Sequence, residues 1–235
     1  MRNLRSLASA ISEFFNPKPV FVHIGKCGGS SCRKRLDEIK FRYVNIHIRQ
    51  IPSYSIPNRR RKFYVLIRNP IARAVSAFNW RRKLVYVDQT QRNRIPGEYE
   101  VLAKYQSLND FAEHLCDENG LLRDKVVAEF NKIHHLRERI SFYFAHFDIV
   151  KQKRNIAGVL MQESLADDFV RVFEVPLGKT KEKSNFRPDD EPLSDQASRN
   201  LTRLLKDDFT VIEQLWQIGV INGQRYQNAM AERLI

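Results

Sequence analysis

A loop rich in glycine and serine is the first stretch of this sequence whose residues could do chemistry. It follows an apolar run and reads HIGKCGGSS, and a stretch that favours helix comes after it. Small residues let a backbone approach an anion closely, and the N–H groups at a helix start point toward such an anion. A lysine in the loop adds a full positive charge. We therefore predict a phosphate cradle made of Lys26, Gly28, Gly29, Ser30 and Ser31.

A second set of polar residues follows the apolar run FYVLI, in the segment RNPIARAVSAF. Arg68 leaves this run directly at the expected ligand site, where a guanidinium can bind a phosphate through two hydrogen bonds. Asn69 is a suitable N-cap, and the proline after it suits the first position of a helix. Ser76 then lies two turns into that helix and can offer its hydroxyl to the same phosphate. Arg73 is expected either to support the structure or to help hold the phosphate.

Strand, loop and helix alternate twice in the first part of the chain, which is typical of an α/β fold with a parallel sheet. We predict strands over 19–25, 41–48 and 63–67. Ligands of such sheets bind beyond the carboxyl ends of the strands, which is where both polar segments lie. The predicted fold class is a P-loop-like, three-layer α/β fold, in which helices flank a central parallel sheet.

The rest of the chain is expected to be largely helical. Helices are predicted over 30–40 and 108–139, within ESLADDFVRVFEVPLG, and from an N-cap at Ser194 onward. The polar stretch 87–106 contains IPG and is expected to be a surface loop, whereas SFYFAHFDIV resembles a strand or a strand–helix junction. Arg81 and Arg82 are expected to face solvent.

Composition limits the classes of protein that this chain can be. With 235 residues, 43% of them hydrophobic and 29% charged, it is predicted to form a single domain over 1–235, with residues 1–18 as a helical appendage. No apolar run is long enough to span a membrane. The appendage is still compatible with a weak peripheral contact with a membrane surface. An excess of 40 Lys and Arg over 27 Asp and Glu gives a net charge of +13 and predicts a polyanionic partner.

The three cysteines, Cys27, Cys32 and Cys116, are too few and too scattered for a disulfide framework, which favours a reducing compartment. They form no C-x-x-C pair, so no metal site is predicted. Cys27 and Arg33 have the C-x5-R spacing of a cysteine phosphatase, in which a thiolate at a helix N-terminus attacks phosphorus. A nucleoside triphosphatase loop would need its lysine after the glycines, and here Lys26 precedes them.

Together the two polar segments resemble those of sulfotransferases that use 3′-phosphoadenosine 5′-phosphosulfate (PAPS). HIGKCGGSS is similar to the pattern K-x-G-[GT]-[ST]-[ST], and RNPIARAVS is similar to R-[DN]-P-x-x-R-x-x-S. The resemblance covers about residues 20–80 and is to the carbohydrate-directed branch of that superfamily, which includes heparan sulfate and chondroitin enzymes and bacterial relatives. A weaker likeness to a helical segment of that branch continues through AGVLMQESLADDF, and the late loop KEKSNFRP is similar too.

The resemblance implies a role for each matching residue. Residues 26–31, Cys27 included, would bind the 5′-phosphosulfate, and Lys26 would also stabilise charge on the leaving phosphate. Arg68 and Ser76 would hold the 3′-phosphate. The late loop is expected to close over the nucleotide, and its candidate ligands are Lys183, Ser184 and Arg187.

Transfer of a sulfuryl group to a hydroxyl also needs a general base. In the carbohydrate-directed branch this base is a His or a Glu near the two cofactor motifs. His47, in VNIHIRQI, is the first choice, because a neutral imidazole is suited to take a proton near pH 7. Glu38 is the reserve, and Asp37 lies beside it on the helix after the loop. His23 is expected to pack within the sheet.

The predicted function is transfer of a sulfuryl group from PAPS to a hydroxyl, with adenosine 3′,5′-bisphosphate as the product. The acceptor is expected to be a carbohydrate, of which an acidic glycan would suit the positive charge, bound by loops such as 50–62 and 85–106. A cysteine phosphatase and a non-enzymatic polyanion-binding module stay open as alternatives, whereas no nucleic-acid-binding signature is present. The missing N-terminal anchor favours a cytoplasmic, bacterial-type enzyme, or a Golgi-lumen enzyme whose anchor was trimmed.

Overall fold

The fold is built on one four-stranded parallel sheet. The computed structural model of the chain describes residues 17–52, 61–178, 192–231 and 233, so most of the predicted N-terminal appendage lies outside the described residues. The strands are β1 (Val20–His23), β2 (Val44–Ile46), β3 (Phe63–Ile67) and β4 (Ile156–Met161). Their order is β2-β1-β3-β4, and each neighbouring pair is parallel. The predicted α/β class with a central parallel sheet flanked by helices is confirmed.

The two central strands, β1 and β3, place the predicted site. Every residue of β1 is buried, and so are four of the five residues of β3, because helices cover both faces of a parallel sheet. The register pairs Val22 with Val65 and His23 with Leu66. The carboxyl ends of the two strands therefore lie side by side, and the chain segments that follow them must be neighbours.

Two helices start directly at these strand ends. They are α1 (Gly29–Glu38), after β1, and α2 (Pro70–Arg81), after β3. The predicted N-cap of α2 is confirmed, because the Asn69 side chain accepts a hydrogen bond of 2.9 Å from the backbone N–H of Ala72. A short π-helical turn, Arg82–Val87, continues α2.

Eight further α-helices and two short 3-10 helices, Lys153–Asn155 and Gln162–Ser164, complete the described part of the chain. The labels of the α-helices continue in chain order, and these helices are α3 (Glu98–Lys104), α4 (Leu108–Glu113), α5 (Asp124–Phe130), α6 (Ile140–Phe144), α7 (Leu165–Phe173), α8 (Asp195–Leu204), α9 (Lys206–Gln217) and α10 (Gly223–Met230). The Ser194 hydroxyl caps α8, as predicted, by accepting from the backbone N–H of Ala197. None of the described helices has both the length and the apolar character that crossing a bilayer requires.

The apolar interior has two parts. One cluster fills both faces of the sheet and includes Phe21, Val65 and Leu160. The other lies among the helices and joins α2, α4, α5, α8 and α9 through side chains such as Phe78 and Phe111. The second cluster forms a helical layer, which α2 connects to the predicted site.

Three predictions for individual elements are wrong. Residues 87–106 are not all loop, because α3 occupies Glu98–Lys104. SFYFAHFDIV starts with helix α6 and contains no described strand; the carboxylate of Asp208 accepts hydrogen bonds from the backbone N–H groups of Ile140 (3.0 Å) and Ser141 (2.8 Å) at the start of this helix. The residues AGVLM, which we compared with a helical segment, form strand β4.

The expectation that Arg81 faces solvent is also wrong. Its side chain is 1% exposed and forms two hydrogen bonds with the carboxylate of Glu98, at 2.8 and 2.7 Å. Glu98 is itself fully buried and accepts a further bond from the backbone N–H of His134. Arg82 is half-buried, with its guanidinium 4.9 Å from the ring centroid of Tyr86. The helical spacing of Arg81 does not show that Glu98 on α3 provides a buried carboxylate for it.

Candidate active site

The loop after β1 makes a tight turn directly into the start of α1. Gly28 lies in the left-handed region (φ 87°) and directly precedes α1. Its carbonyl accepts hydrogen bonds from the backbone N–H groups of Ser31 (3.1 Å) and Cys32 (3.4 Å). A Cβ atom at Gly29 would lie 1.8 Å from the ring of His23. The loop therefore needs both glycines, one for its turn and the other for close packing on β1.

Arg68 brings the two predicted segments together. Its guanidinium Nη1 donates a hydrogen bond of 3.3 Å to the carbonyl oxygen of Lys26, across 42 residues of sequence. Arg68 is half-buried, so it is partly accessible to a ligand. The structure thus places the cation of the second segment against the loop of the first.

One face of α2 lies along this loop. Arg73 near its start donates to the carbonyl of Gly25 (3.0 Å), and Trp80 near its end has its ring centroid 4.6 Å from the ammonium of Lys26. Ser76 lies between them at helical spacing, three residues after Arg73 and four before Trp80, which puts all three on one face. Ser76 is buried on the side of α2 that faces the loop.

Arg73 supports the structure of the site. Its side chain is 1% exposed. Besides Gly25, it donates to the backbone carbonyls of His135 (2.7 Å) and Glu138 (2.5 Å). Of its two predicted roles, these contacts favour the structural one, because its donors already bind backbone carbonyls.

Four histidines form a continuous cluster beside the loop. The rings of His23 and His47 are stacked with centroids 4.3 Å apart, and those of His134 and His135 are stacked at 4.0 Å. His47 and His135 connect the two stacks, with centroids 6.1 Å apart. His135 also packs on the loop itself, since a Cβ at Gly25 would lie 2.5 Å from its Nδ1. The expected packing role of His23 agrees with this arrangement.

His47 is held in one tautomer. Its Nδ1 lies 2.8 Å from the carbonyl oxygen of His23. A carbonyl oxygen can only accept, so Nδ1 must carry the proton, and Nε2 of the neutral ring keeps its lone pair. The half-buried His47 therefore has the protonation pattern that a general base requires.

The surroundings keep two of the other histidines neutral. Burial, followed by the charges of His47 and Arg33, lowers the pKa of His23 to about 3. Burial also lowers the pKa of His135 to about 2, with smaller contributions from nearby cations that include Arg73 and Lys26. Uncharged imidazoles leave the positive charge of the site to the lysine and arginines.

Three of the six described non-glycine residues with a positive φ lie around the same loop. Lys26 (φ 71°), Ile48 (φ 58°) and His135 (φ 67°) are non-glycine residues in the left-handed region. For a β-branched residue such as Ile48 this conformation is unusual and costs of order 1–3 kcal/mol. The hydroxyl of Tyr143 accepts from the backbone N–H groups of Gly25 (3.4 Å) and Ile48 (3.3 Å) and so holds this geometry. Such strain is typical of a functional site.

The lowered pKa values of the buried histidines predict that the protein loses stability in acid. The folded-state pKa of His23 is depressed, so the stability it contributes is complete above its unfolded pKa of about 6.5 and falls as the pH drops from there toward 3. The slope is about 1.4 kcal/mol per pH unit for one such histidine. We expect His23→Phe to flatten the dependence of the unfolding free energy on pH, measured by urea denaturation between pH 7.5 and 4.5. His114→Phe, at an exposed position, is the control. Equal slopes in wild type and His23→Phe would contradict this assignment.

The ligand atoms of His134, His135 and Glu138 lie within 4.8 Å of one another, which raises the question of a metal. The two imidazole planes are only 19° apart in their stack, so their lone pairs lie in nearly parallel planes 4.0 Å apart at the ring centroids and do not converge on one point. The Glu138 carboxylate already accepts from the backbone N–H of His135 (2.7 Å) and from Arg137. We assign this group to the packing of the site.

Cys27 is not presented as a nucleophile. Its side chain is fully buried, and burial raises the pKa of its thiol to about 12. Its sulfur lies 3.8 Å from the carbonyl of Gly25, within the loop. Arg33, the second residue of the C-x5-R spacing, is exposed on α1 and lies beside the hydroxyl of Tyr43. The cysteine phosphatase alternative therefore gains no support from the geometry.

Glu38 does not reach the loop. It ends α1, about 14 Å along the helix from the cradle, and it pairs with Arg35 (3.1 Å) and Lys34 (3.9 Å). Asp37, at the same end, accepts a hydrogen bond from Tyr43 instead. The reserve assignment of Glu38 as the base is therefore not supported. The late-loop candidates lie outside the described residues, and they are Lys183, Ser184 and Arg187.

Sequence reasoning missed Trp80, His135 and Tyr143. Trp80 shares a helical face with Arg73 and Ser76, a spacing that could have identified it. No motif or spacing in the sequence identifies His135 or Tyr143. Scans of the chain against models of known protein families, curated protein sequences and solved structures each return no match. The structure thus defines an α/β protein in which a glycine-rich loop with a left-handed Lys26 contacts Arg68 at the carboxyl ends of the two central strands.

Proposed function

We propose that this chain is a sulfotransferase that moves a sulfuryl group from PAPS to a hydroxyl of a carbohydrate. One observation carries the proposal: the guanidinium of Arg68 binds the carbonyl of Lys26, so the two segments that resemble the nucleotide-binding motifs of such enzymes meet at one point. A nucleotide with phosphates at both its 5′ and 3′ positions needs two anion sites side by side. The loop and the Arg68–Ser76 segment would supply them.

The residues of the site suit such a nucleotide. Gly28 to Ser31 would hold the 5′-phosphate through backbone N–H groups and hydroxyls at the start of α1, where the helix dipole adds to the attraction. Arg68 and Ser76 would hold the 3′-phosphate. Bound PAPS would supply the sulfuryl group and leave as adenosine 3′,5′-bisphosphate. Lys26 would place its ammonium against the developing negative charge, as preorganised cations do in phosphoryl transfer.

His47 is the base of this proposal. Its Nδ1–H is engaged with the carbonyl of His23, so Nε2 is the atom that would take the acceptor hydroxyl's proton. The neutral neighbours His23 and His135 add no positive charge that would oppose the resulting imidazolium at neutral pH. Lys26 and Arg68 would hold the nucleotide, and His47 would take the proton from the acceptor hydroxyl.

The positive charge supports the proposed class of acceptor. A net charge of +13 suits an anionic nucleotide and an acidic glycan as its partners. The cysteines in the described structure, Cys27, Cys32 and Cys116, are all free and buried, which suits a reducing, cytoplasmic setting.

Thermal unfolding with and without adenosine 3′,5′-bisphosphate tests the nucleotide. At about 100 times its dissociation constant, the bisphosphate is expected to stabilise the protein by roughly 2.7 kcal/mol. For a chain of this size, that corresponds to a rise of about 5–10 °C in the unfolding midpoint. Adenosine 5′-monophosphate and ATP, at the same concentration, are the controls, and neither is expected to produce this rise.

The alternatives give other outcomes in the same experiment. An equal rise with every anion would indicate only a polyanion-binding surface and would contradict the proposed cofactor. No rise at all would direct attention to phosphatase activity, which Cys27→Ser should abolish. Binding of a polyanion alone would also show a steep salt dependence without nucleotide preference.

A further inference from the structure

The ring of Trp80 lies against the cation of the loop. The ammonium of Lys26 is 4.6 Å from the ring centroid. The negative face of an aromatic ring attracts a cation within about 6 Å, and tryptophan attracts most strongly. Both side chains are half-buried, so water screens this attraction only in part. The proposed sulfuryl transfer assigns no part to Trp80.

The backbone of Lys26 is fixed on both sides. Its φ of 71° lies in the left-handed region, which is uncommon for a residue other than glycine. The carbonyl of Gly25, in the peptide group before Lys26, accepts a hydrogen bond of 3.0 Å from Arg73. The carbonyl of Lys26 itself accepts one of 3.3 Å from Arg68. These bonds set the direction in which the lysine side chain leaves the loop, so that only its flexible end remains to be positioned.

The end of α2 that carries Trp80 is fixed as well. Arg81, the next residue, is 1% exposed and forms hydrogen bonds of 2.8 and 2.7 Å with the carboxylate of Glu98. Phe78, two residues before Trp80, is fully buried in the helical layer. The indole therefore contacts the loop from a helix end that cannot move away without breaking a buried ion pair.

We propose that Trp80 is a positioning residue, whose indole face holds the ammonium of Lys26 ready for an anion in the cradle. A lysine side chain has many rotamers, and fixing one of them when a ligand binds costs entropy. The contact with the ring orders the side chain before the ligand arrives, which reduces this cost. An ammonium has three N–H donors, and a ring on one side of it leaves donors for phosphate oxygens.

An aromatic ring suits this task better than a carboxylate would. Arg68 and Arg73 bring two further positive charges to the loop, and the negative face of the indole offsets their repulsion of Lys26. The indole has no net charge, so it does not repel the phosphate that Lys26 is to bind. The role of Trp80 rests on the proposed function, because the anion is taken to be the 5′-phosphate of the nucleotide.

A double-mutant cycle on the full chain tests the coupling of the two side chains, with the dissociation constant of adenosine 3′,5′-bisphosphate measured by isothermal titration. Trp80→Leu removes the ring face and is expected to weaken binding about fivefold. Trp80→Phe keeps a weaker ring face and is expected to weaken binding about twofold. In the Lys26→Met background, Trp80→Leu is expected to change the affinity by less than about twofold, because the cation that the ring positions is gone.

The second tryptophan of the chain supplies a matched control and a second measurement. Trp216, on α9, is 40% exposed, and Trp216→Phe is expected to leave the affinity for the bisphosphate unchanged. In that variant Trp80 is the only tryptophan, so the tryptophan emission reports on this ring alone. Adding Lys26→Met is expected to alter the emission spectrum of the unliganded protein, because the ammonium no longer lies at the ring face. This measurement needs no ligand and no substitution of Trp80.

Three outcomes would overturn this role of Trp80. An equal loss of affinity from Trp80→Leu with and without Lys26 would mean that the ring contacts the nucleotide itself or only supports the fold. Unchanged affinity in Trp80→Leu would mean that the ring does not prepare Lys26 for the anion. Unchanged emission on substitution of Lys26 would mean that the ammonium does not lie at the ring.

Failure of the proposed function gives a different result. If the wild type binds pyrophosphate as tightly as the bisphosphate, the nucleotide is not the ligand, and the same cycle measured with pyrophosphate decides the role of Trp80. An additive cycle in a protein that prefers the bisphosphate would contradict the role of Trp80 alone. Absence of binding of either anion to the wild type would contradict both.

Discussion

Arg68→Ala is expected to remove half or more of the thermal stabilisation by adenosine 3′,5′-bisphosphate. The guanidinium would form charge-assisted hydrogen bonds with the 3′-phosphate, and hydrogen bonds to charged groups contribute about 1.5–3 kcal/mol. The dissociation constant should therefore rise about tenfold to a hundredfold. The measurement is the unfolding midpoint across a bisphosphate titration, with the midpoint of each unliganded variant as its reference.

Two further variants make this result specific. Arg68→Lys keeps the charge but loses the planar pair of donors, so its affinity should lie between those of wild type and Arg68→Ala. His47→Asn should keep the full bisphosphate response, because the proposed base does not hold the nucleotide. Should Arg68→Ala bind the bisphosphate as tightly as wild type, the assignment of the 3′-phosphate site is wrong. If His47→Asn loses the response, His47 is a nucleotide ligand and not the base.

Glu98→Ala is expected to destabilise the fold by about 3–5 kcal/mol, because it leaves the buried guanidinium of Arg81 without its charged partner. The pair is almost fully buried, with exposures of 1% for Arg81 and 0% for Glu98. The substitution also removes the acceptor of the backbone N–H of His134. For a chain of this size the unfolding midpoint should fall by about 6–20 °C. Urea denaturation at pH 7.5 gives the free energy directly.

Arg82→Ala is the matched control for this prediction. Arg82 is adjacent in sequence and half-buried, and its guanidinium contacts the ring of Tyr86. A partly exposed cation–π contact is worth about 0.5–1 kcal/mol. Similar losses of unfolding free energy in Arg82→Ala and Glu98→Ala would mean that the buried Arg81–Glu98 pair contributes no more to stability than a partly exposed contact.

Hydrogen bonds to the segment 134–138 connect the buried Arg81–Glu98 pair with the cradle. Glu98 binds the backbone N–H of His134, and Arg73 binds the backbone carbonyls of His135 and Glu138 and also that of Gly25. The helical layer thereby reaches the end of β1. Loss of Glu98 is expected to loosen the site as well as the fold, and the bisphosphate titration of Glu98→Ala measures this.

The sequence by itself determined the features that depend on short stretches of chain. The apolar runs that end at Gly25 and Arg68 identify the central strands, since a strand buried on both faces is nearly continuous in apolar residues. Asn69 caps α2 through a bond to a residue only three positions away. The contact between the loop and Arg68 also follows from the sequence, because paired parallel strands have their carboxyl ends on the same side of the sheet.

Only the tertiary structure decided which side chains surround the cradle. Trp80, His135 and Tyr143 arrive from separate elements, and no local pattern records a contact across 118 residues such as that between Tyr143 and Gly25. Arg81 is buried because it pairs with Glu98. Glu98 lies on α3, a helix that the polar composition of 87–106 did not predict. Glu38 was excluded as the base because the length of α1 carries it away from the loop that it follows. Local propensity acts over a few residues, whereas burial and charge pairing depend on how the elements pack, and packing is a property of the whole chain.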